Sequence, residues 1–428
     1  MRHTNRSFLA AMLVLGSVCR AEFQVNVRTS NEQKNAAIAM EPGGRFVVVW
    51  SSYLQDGSSN GIYGRRFDPN CSPLAGEFQV NTTSSGNQTE PAVAMDAAAG
   101  FVAVWQGPGA TEEDKEDIFA RRFDPNGLPL GDEFLVNSLT LDRQIYPRVA
   151  VSDGGRFVIV WESVNVPEDG KRSVLAQLYD SSGAALGAEF MVSPESSNGR
   201  YPDVAADAIG NFAAAWLRDS SSNSIMVRLF DPNAVPVTEA FTVNDTRFSS
   251  VARPAIAMDA AGFFVVAWDG DPDLAGLDDI HARLYEPNGA PLGRQFIVNT
   301  ATEGPQQNPL VAMNDAGEFV IAWESKVDPN VNERDIFGRR FDSLSEPIGG
   351  EFAVNTYIEG DQRNAAVAMR DDGNFVAVWQ SYAQDGSGFG IFGETGPEAG
   401  SPPMDGVELI RCVIKAARTP GRTWNLLR

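Results

Sequence analysis

The sequence predicts an all-β fold, a seven-bladed β-propeller in which every blade is a four-stranded antiparallel sheet. Seven of the eight tryptophans recur at intervals of 52 to 56 residues, and each of the seven lies in a unit of four short apolar runs separated by turn residues, whereas Trp424 lies outside the repeat. The chain also starts its first unit with a run that ends the later units, as expected if the ring is closed by its N-terminal strand. The seven tryptophans are Trp50, Trp105, Trp161, Trp216, Trp268, Trp323 and Trp379.

The first two runs of each unit are predicted to form a β-hairpin. The first run, strand A, reads PAVAM at 91–95, and the second, strand B, reads FVAVW at 101–105. Asp- and Gly-rich turns such as SDGG at 152–155 join these runs, a composition typical of hairpins. Because strand B is apolar on both of its alternating faces, we expect it to be covered on both sides.

The last two runs are predicted to add the outer strands of each blade. Strand C reads DIFARRFD at 117–124, strand D reads EFLVN at 133–137, and DPNG between them supplies turn residues. Strand D recurs with starts at residues 22, 77, 133, 189, 240, 295 and 351, but no copy follows the last strand C at 390–393. The copy at 22–26 is therefore predicted to complete the seventh blade.

The order of these motifs resembles a known family. P-x-V-A-M, an Asp/Gly turn, F-V-x-V-W and an Asp/Gly-containing loop before I-F or I-Y are similar to the repeats of bacterial secreted and periplasmic TolB-type propellers, with their SPDG hairpin and DG-x-x-I-Y strand. The resemblance covers residues 22–393 and implies propeller topology. Longer repeats and the Arg-Arg-Phe-Asp of strand C depart from that pattern, so the role of TolB is not carried over. Sialidase-type Asp-box propellers are a weaker resemblance.

The two ends of the chain are predicted to differ from the propeller at 22–393. Residues 1–21 read as a secretory signal peptide, with Arg2 and Arg6 before an apolar run too short to span a bilayer and cleavage after Ala21. A retained anchor or lipoprotein is the alternative. We expect a secreted, periplasmic or cell-surface protein whose mature chain has no transmembrane segment.

The tail at 394–428 diverges from the repeat and is either a short helix or an irregular end. Its segment ELIRCVIKAAR at 408–418 places apolar residues on one helical face and is locally basic. After cleavage the chain keeps Cys71 and Cys412, which either pair or remain thiols.

Composition excludes several function classes. The formal net charge of −22 argues against nucleic acid or anionic lipid as the main partner. His3 and His281 are the only histidines, which are too few for an imidazole metal cluster and leave little basis for a Ser-His-Asp relay. No catalytic residues have a distinctive spacing. We expect a monomeric binding or scaffold module for a glycan or an extracellular protein, with a glycosidase or lyase using carboxylates and tyrosines at the central channel as the alternative.

The long, variable connections from strand B to C and from strand D to A are predicted to share one face of the disc and to bind the ligand. Tyrosine beside arginine suits sugars or a protein partner, although scattered surface residues without a common ligand are the alternative. Tyr146 and Tyr201 stand out because each directly precedes the proline of strand A. The predicted ligand-binding residues are Tyr53, Arg143, Tyr146, Arg200, Tyr201, Arg253, Tyr357, Arg363 and Tyr382.

Polar residues that recur in most units are predicted to serve the blade rather than a ligand. The arginines of strand C are expected to make inter-blade ion pairs or to pack through their stems, and the glutamines before strand A to hydrogen-bond loop ends. These residues are Arg65, Arg121, Arg228, Arg283 and Arg339, and Gln33, Gln88, Gln144, Gln306 and Gln362.

One acidic loop, at 268–279, is a possible calcium site because carboxylates alternate along it. Leu274 and Ile280 stand where an EF-hand needs glycine and glutamate, so an EF-hand is excluded and a looser site remains, with a solvated acidic loop as the alternative. The predicted ligands are Asp269, Asp271, Asp273 and Asp279, with Asp278 as a further donor. No other cofactor is expected.

Overall fold

The computed structural model describes residues 22–396 apart from 110–114, 141, 165–170, 195–197, 221–222, 246–252, 272–276, 303 and 327–332. The regular elements in this part of the chain are β-strands. Among the described residues, no helix has the length and hydrophobicity needed to cross a lipid bilayer. The predicted signal peptide, Cys412 and the tail beyond 396 lie outside the described residues.

The strands form seven sheets that match the seven predicted units. Strand β1 is Phe23–Gln24. The first four units contain β2 (Gln33–Met40), β3 (Phe46–Tyr53), β4 (Asn60–Phe67) and β5 (Phe78–Gln79); β6 (Thr89–Met95), β7 (Phe101–Pro108), β8 (Glu116–Phe123) and β9 (Phe134–Leu135); β10 (Gln144–Val151), β11 (Phe157–Val164), β12 (Arg172–Tyr179) and β13 (Phe190–Met191); β14 (Gly199–Ala206), β15 (Phe212–Arg218), β16 (Ser224–Phe230) and β17 (Phe241–Thr242).

The last three units have the same organisation. They contain β18 (Ala255–Met258), β19 (Phe264–Gly270), β20 (Asp279–Tyr285) and β21 (Phe296–Ile297); β22 (Gln306–Met313), β23 (Phe319–Ser325), β24 (Asp335–Phe341) and β25 (Phe352–Ala353); β26 (Gln362–Met369), β27 (Phe375–Tyr382) and β28 (Phe389–Thr395). Within each sheet the strands pair antiparallel in the order A, B, C, D, which confirms the predicted four-stranded blade.

The blades close into a ring. Each strand A contacts the strand A of the next blade around the axis, and β26 of the seventh blade contacts β2 of the first. Seven hydrophobic clusters fill the spaces between neighbouring blades, and one of them joins the seventh blade to the first. The seven repeated tryptophans are all fully buried. Strand A therefore lines the central channel, and the apolar strand B is covered on both faces, as predicted.

The N-terminal strand completes the seventh blade, which confirms the predicted ring closure. Strand β1 pairs with β28 so that Phe23 lies opposite Gly393 and Gln24 opposite Phe392. The carboxylate of Glu22 accepts hydrogen bonds from the backbone N–H groups of Thr356 and Tyr357, in the loop that follows the sixth blade. One short segment thus connects the seventh blade to its own strand C and to the blade before it.

The conserved letters of E-F-x-V-N have separate structural roles that repeat from blade to blade. Glu133 accepts hydrogen bonds from backbone N–H groups of the preceding blade, among them that of Thr82 at 2.6 Å. Phe134 packs in the cluster between blades, and Val136 is buried there. Asn137 Oδ1 accepts the backbone N–H of Ile118 on strand C at 2.7 Å. Burial of the Ile118 N–H explains why this last position carries an acceptor side chain, asparagine or serine, in every blade.

The recurring arginines of strand C join neighbouring blades by hydrogen bonds to backbone carbonyls, and among the described residues the predicted inter-blade ion pair is formed by Arg283, with Asp245. Arg121 donates to the carbonyl oxygen of Val80 in the preceding blade at 3.0 Å, and its guanidinium lies over the Phe123 ring. The equivalent arginines of four other blades make the same backbone contact. The recurring glutamines are buried and hydrogen-bond loop carbonyls, strand D asparagines or the repeated tryptophans, as between Trp161 Nε1 and Gln144 Oε1 at 2.9 Å. Both sets serve the blades.

Candidate functional site

The channel opens on the face that carries the B–C and D–A connections, and one residue from each blade surrounds this opening. Each of these residues directly precedes the proline or alanine that starts the apolar part of strand A. All seven line one cavity of about 370 Å³ at the axis. We call them the mouth ring: Asn35, Glu90, Tyr146, Tyr201, Arg253, Asn308 and Asn364.

A β-bulge aims six of the seven mouth-ring side chains. The pairing of strand A with strand B shifts register at this position in six blades, and the mouth-ring residue there has a positive φ. Left-handed backbone is unfavourable for most residues but tolerated by asparagine, which occupies the position in three blades. Tyr146, Tyr201 and Glu90, with φ of 55°, 50° and 52°, carry a cost that asparagine would reduce.

The bulge is held from the preceding blade. The residue that follows the repeated tryptophan reaches across the blade interface and accepts the backbone N–H of the mouth-ring residue. Gln106 does this for Tyr146 and Glu162 for Tyr201, each at 3.0 Å. Glu324 and Gln380 do the same for Asn364 and Asn35. The opening is therefore formed by backbone that tertiary hydrogen bonds fix in place.

One side of the mouth ring is aromatic and cationic. The rings of Tyr146 and Tyr201 are tilted against each other with centroids 5.1 Å apart. The Arg253 guanidinium lies 4.6 Å from the Tyr201 centroid and 5.3 Å from that of Tyr146. Arg200 lies over the Tyr201 ring as well and donates to its hydroxyl at 2.8 Å. Four predicted ligand-binding residues thus lie in one cluster. Cation–π contacts stabilise it.

The other side carries amides and a carboxylate. Asn364 Nδ2 donates to Asn35 Oδ1 at 2.9 Å, and Asn35 Nδ2 donates to Glu90 Oε1 at 3.0 Å. These hydrogen bonds run from one blade to the next along the rim. Amide and carboxylate groups are hydrogen-bond donors and acceptors, which suits a ligand rich in hydroxyl groups.

Two residues on the channel wall break the repeat and were missed by the sequence analysis. Arg148 and Asp203 directly follow the strand A proline of the third and fourth blades and line the cavity. The other blades carry alanine or leucine there. Asp203 accepts the backbone N–H of Ile256 at 3.0 Å, and burial raises the pKa of its carboxyl while the charge of Arg148 lowers it. The signal was visible in the sequence as a polar residue in an otherwise apolar column.

The remaining predicted ligand-binding residues do not line the cavity. Tyr53 and Tyr382 are exposed at the ends of β3 and β27. Arg143 is paired with Glu116, with Nε and Oε2 2.6 Å apart, and Arg363 is paired with Asp361. The backbone N–H of Tyr357 binds Glu22 in the ring closure. These five residues belong to the same face but not to the mouth.

The predicted calcium loop lies partly outside the described residues, because Asp273 falls in the omitted range 272–276. Asp269, Asp271 and Asp278 are buried. Asp279 Oδ1 accepts Asn299 Nδ2 at 2.7 Å, an interaction that Asp117 and Asp335 make with the equivalent asparagines of their blades. Within the described ranges no group of three or more His, Cys, Asp or Glu side chains could hold a metal ion. Calcium binding by this loop stays a prediction.

Asp269 supports the mouth ring from below. Its carboxylate accepts the backbone N–H of Arg253, while the buried Oδ1 has no hydrogen-bond partner among the residues that the structure describes. Burial, and then the nearby charges of Asp278 and Glu324, raise the pKa of Asp269 to about 7. Desolvation favours the neutral form of a carboxyl group, so Asp269 changes its protonation state near neutral pH.

Tyr146 keeps its proton at neutral pH because burial raises the pKa of its hydroxyl, although Arg253 opposes the shift. The hydroxyl is therefore a hydrogen-bond donor rather than a ready base. Together the mouth ring can bind a polar, partly flat ligand with hydrogen bonds on one side and aromatic contact on the other.

Comparisons with known proteins confirm the fold. No protein-family model and no curated protein matches the chain. A protein of unknown function from Dyadobacter fermentans is similar, with a TM-score of 0.53, 8% identity and coverage of 89% of this chain and 99% of that one. The polysaccharide lyase Uly1 has a TM-score of 0.53 and 8% identity over 88% of this chain and 99% of its own.

A fungal alcohol oxidase of the AA5 family, in complex with copper, is also similar. Its TM-score is 0.52, with 11% identity over 89% of this chain and 76% of the oxidase. At such identities the likeness concerns the fold alone. The TolB-type resemblance stays a prediction from the sequence.

Proposed function

We propose that this protein is a secreted glycan-binding module whose site is the mouth ring and the cavity below it. The observation that carries the proposal is the cluster of Tyr146, Tyr201 and Arg253 in three consecutive blades, at a position where three other blades have asparagine. Two of these residues have left-handed backbone that asparagine would adopt at lower cost. Strain of this kind persists at functional sites, and here it accompanies the contacts of both tyrosine rings with Arg253.

The chemistry of the mouth suits a sugar. A tyrosine ring offers a flat apolar surface with a polar tip, and the amide side of the ring offers donors and acceptors for hydroxyl groups. The cavity of about 370 Å³ lies within the range of 300–1,000 Å³ that is common for small-ligand sites. Because strand A is fixed on both sides, these groups are positioned before the ligand arrives, which lowers the entropic cost of binding.

The polysaccharide lyase with the same fold gives limited support, since its name records action on a polysaccharide. Fold does not determine function, so the site must carry the proposal. Catalysis has less support than binding. Tyr146 is protonated at neutral pH, and the Asp203 carboxylate is already bound to a backbone N–H group and faces the charge of Arg148.

The experiment is a glycan panel probed with the mature protein, followed by product analysis of every glycan that binds. Each measurement is made with and without added calcium, which tests the acidic loop in the same experiment. Stable binding without new reducing ends or unsaturated products supports a binding module. Turnover would show that the protein is a glycosidase or lyase. Absence of binding to the whole panel would reject a glycan ligand in favour of a protein partner.

Export is part of the proposal and has its own test. The N-terminal sequence of the protein recovered from the culture medium or periplasm should begin at Glu22. Retention of residues 1–21 on the purified protein would contradict cleavage after Ala21.

A further inference from the structure

We propose that the glycan is acidic and that a carboxylate of one of its sugars binds Arg253. This inference rests on the proposed function and names the class of its ligand. It follows from the charge pairing of other arginines on the ligand-binding face, from the position of Arg253, and from the pairing of two nearby carboxylates with those arginines.

Three other arginines near the mouth ring have carboxylate partners within ion-pair distance. Arg200 Nη1 lies 2.9 Å from Asp219 Oδ2, and Arg334 Nη1 lies 3.1 Å from Glu324 Oε2. Arg172 is paired with Glu162. Arg253 differs, because among the described residues its guanidinium contacts two tyrosine rings and no carboxylate. An exposed guanidinium that is held but not paired is ready for an anionic group.

Arg253 is also placed rather than free to move in solvent. The guanidinium lies within 6 Å of both tyrosine centroids, and the backbone N–H of the same residue is bound by the buried Asp269. These contacts restrict the long side chain before a ligand binds, so less conformational entropy is lost on binding. The planar fork of a guanidinium matches the two oxygens of a carboxylate, with two parallel hydrogen bonds.

Of the carboxylates near the mouth, two are already paired with arginines and a third is hydrogen-bonded to an amide. Glu162 and Glu324 are paired with arginines, and Glu90 accepts a hydrogen bond from Asn35. The wall beneath adds the charge of Arg148 opposite Asp203. By contrast the whole chain carries a formal net charge of −22, which repels a polyanion at long range. Binding of an acidic glycan would therefore report a local site and not general electrostatic attraction.

The experiment compares acidic oligosaccharides with their uncharged methyl esters. De-esterified and methyl-esterified galacturonate oligomers are the first pair of probes, and sialylated and desialylated oligosaccharides are the second. A sulfated glucan is a separate arm, because a sulfate ester also accepts hydrogen bonds from arginine. Dissociation constants are measured by calorimetry for the wild type, for Arg253→Gln and for the control Arg28→Gln.

Arg28 is a matched control because it lies in a D–A connection of the same face and outside the cavity, where it binds Ser30 Oγ and the Gln55 carbonyl. Both variants lose one positive charge. We expect a carboxylated probe to bind at least about tenfold more weakly to Arg253→Gln, as for loss of a hydrogen bond to a charged group, and equally to Arg28→Gln. The corresponding methyl ester should bind wild type and Arg253→Gln alike.

Three outcomes would overturn the inference. Equal affinity of acid and ester for the wild type would show that the carboxylate is not recognised. Equal weakening by the two arginine variants would assign the effect to net charge. Tight binding of sulfated glucan alone would assign the site to sulfate esters. Binding of neutral glycans without any acidic preference leaves the proposed function standing, whereas absence of all glycan binding removes both.

Discussion

At the residue scale, the mouth ring places tyrosine and glutamate in a backbone conformation that asparagine tolerates best. In three blades the residue at this position is asparagine, and Asn35, Asn308 and Asn364 all have a positive φ. The hydrogen bond from Asn364 to Asn35 further shows how two asparagines fit side by side on the rim. Among the strained residues other than asparagine, Tyr146 and Tyr201 have a proposed ligand role and Glu90 has none.

Glu90→Asn should stabilise the protein. The substitution relieves left-handed strain at Glu90 and recreates with Asn35 the amide pair that Asn364 already forms with Asn35. We expect the free energy of unfolding to rise by about 1 kcal/mol, measured by chemical denaturation. Glu90→Ala is the control, since it removes the carboxylate without the asparagine side chain. A fall in stability for Glu90→Asn would show that the hydrogen bond to Glu90 outweighs the strain.

Asp269→Asn should change the pH dependence of stability. Because the pKa of Asp269 is raised from 3.8 to about 7, the folded chain holds a proton between these values that the unfolded chain releases. This group therefore makes stability fall as pH rises from about 4 to about 7. The asparagine variant removes that slope, so its gain in melting temperature over wild type should be larger at pH 8 than at pH 5.

The exposed Asp132→Asn is the control for loss of one acidic charge in the Asp269 measurement. It should give the same small difference from wild type at both pH values. A gain for Asp269→Asn that is equal at pH 5 and pH 8 would show that Asp269 is ionised throughout this range.

Much of the site could be predicted from residue types that break a repeat. Tyr146 and Tyr201 were found in this way, and Arg200 and Arg253 were predicted beside them. Arg148 and Asp203 were not predicted, although each is a polar residue in a column that is otherwise alanine or leucine. The recurring asparagines of the mouth were missed for another reason: their role depends on a bulge that hydrogen bonds from the preceding blade hold in place. Such tertiary contacts cannot be read from one segment of sequence.

At the element scale, strand D shows how a short strand can be fixed by its side chains. It pairs over only two residues, yet its last residue accepts a buried N–H of strand C. In the third blade Ser193 takes this position, and its Oγ accepts the N–H of Val174 at 2.9 Å. The chain therefore contains a natural substitution at the position that asparagine occupies elsewhere.

Asn137→Ala should destabilise the protein because it leaves the buried N–H of Ile118 without an acceptor. We expect a loss of about 1–3 kcal/mol, the cost of an unsatisfied buried donor. Asn137→Ser should recover part of that loss, since Ser193 performs the same role in the third blade. Differential scanning calorimetry of the three proteins gives the order. Equal melting temperatures for alanine and serine would show that the hydroxyl does not replace the amide.

The elements were predictable because each strand of the blade repeats with its own residues. The continuous apolar run predicted strand B, and the Asp/Gly turns predicted the hairpins. The seven copies of E-F-x-V-N predicted strand D and its placement at the N-terminus. The lateral positions of Tyr53, Tyr357 and Tyr382 were not predictable, since the direction of a loop side chain depends on contacts between distant segments. The structure places them away from the cavity that Tyr146 and Tyr201 line.

At the scale of the whole molecule, the ring depends on its first strand. Strand β1 completes the seventh blade, and Val25 is buried in the cluster that joins the seventh blade to the first. Deletion of residues 22–27 should lower the melting temperature sharply, and a synthetic peptide of the same residues should restore part of it. An unchanged melting temperature after deletion would contradict closure by this strand.

Glycan binding at the mouth ring is tested most directly by calorimetry with the strongest ligand of the panel, using wild type, Tyr146→Ala and the control Phe263→Ala. Phe263 is an exposed aromatic residue on the opposite face, beside the turn between β18 and β19. Binding should weaken at least about tenfold in Tyr146→Ala, as for loss of a central aromatic contact, and stay unchanged in Phe263→Ala. Undiminished binding by folded Tyr146→Ala would contradict a glycan site at the channel mouth.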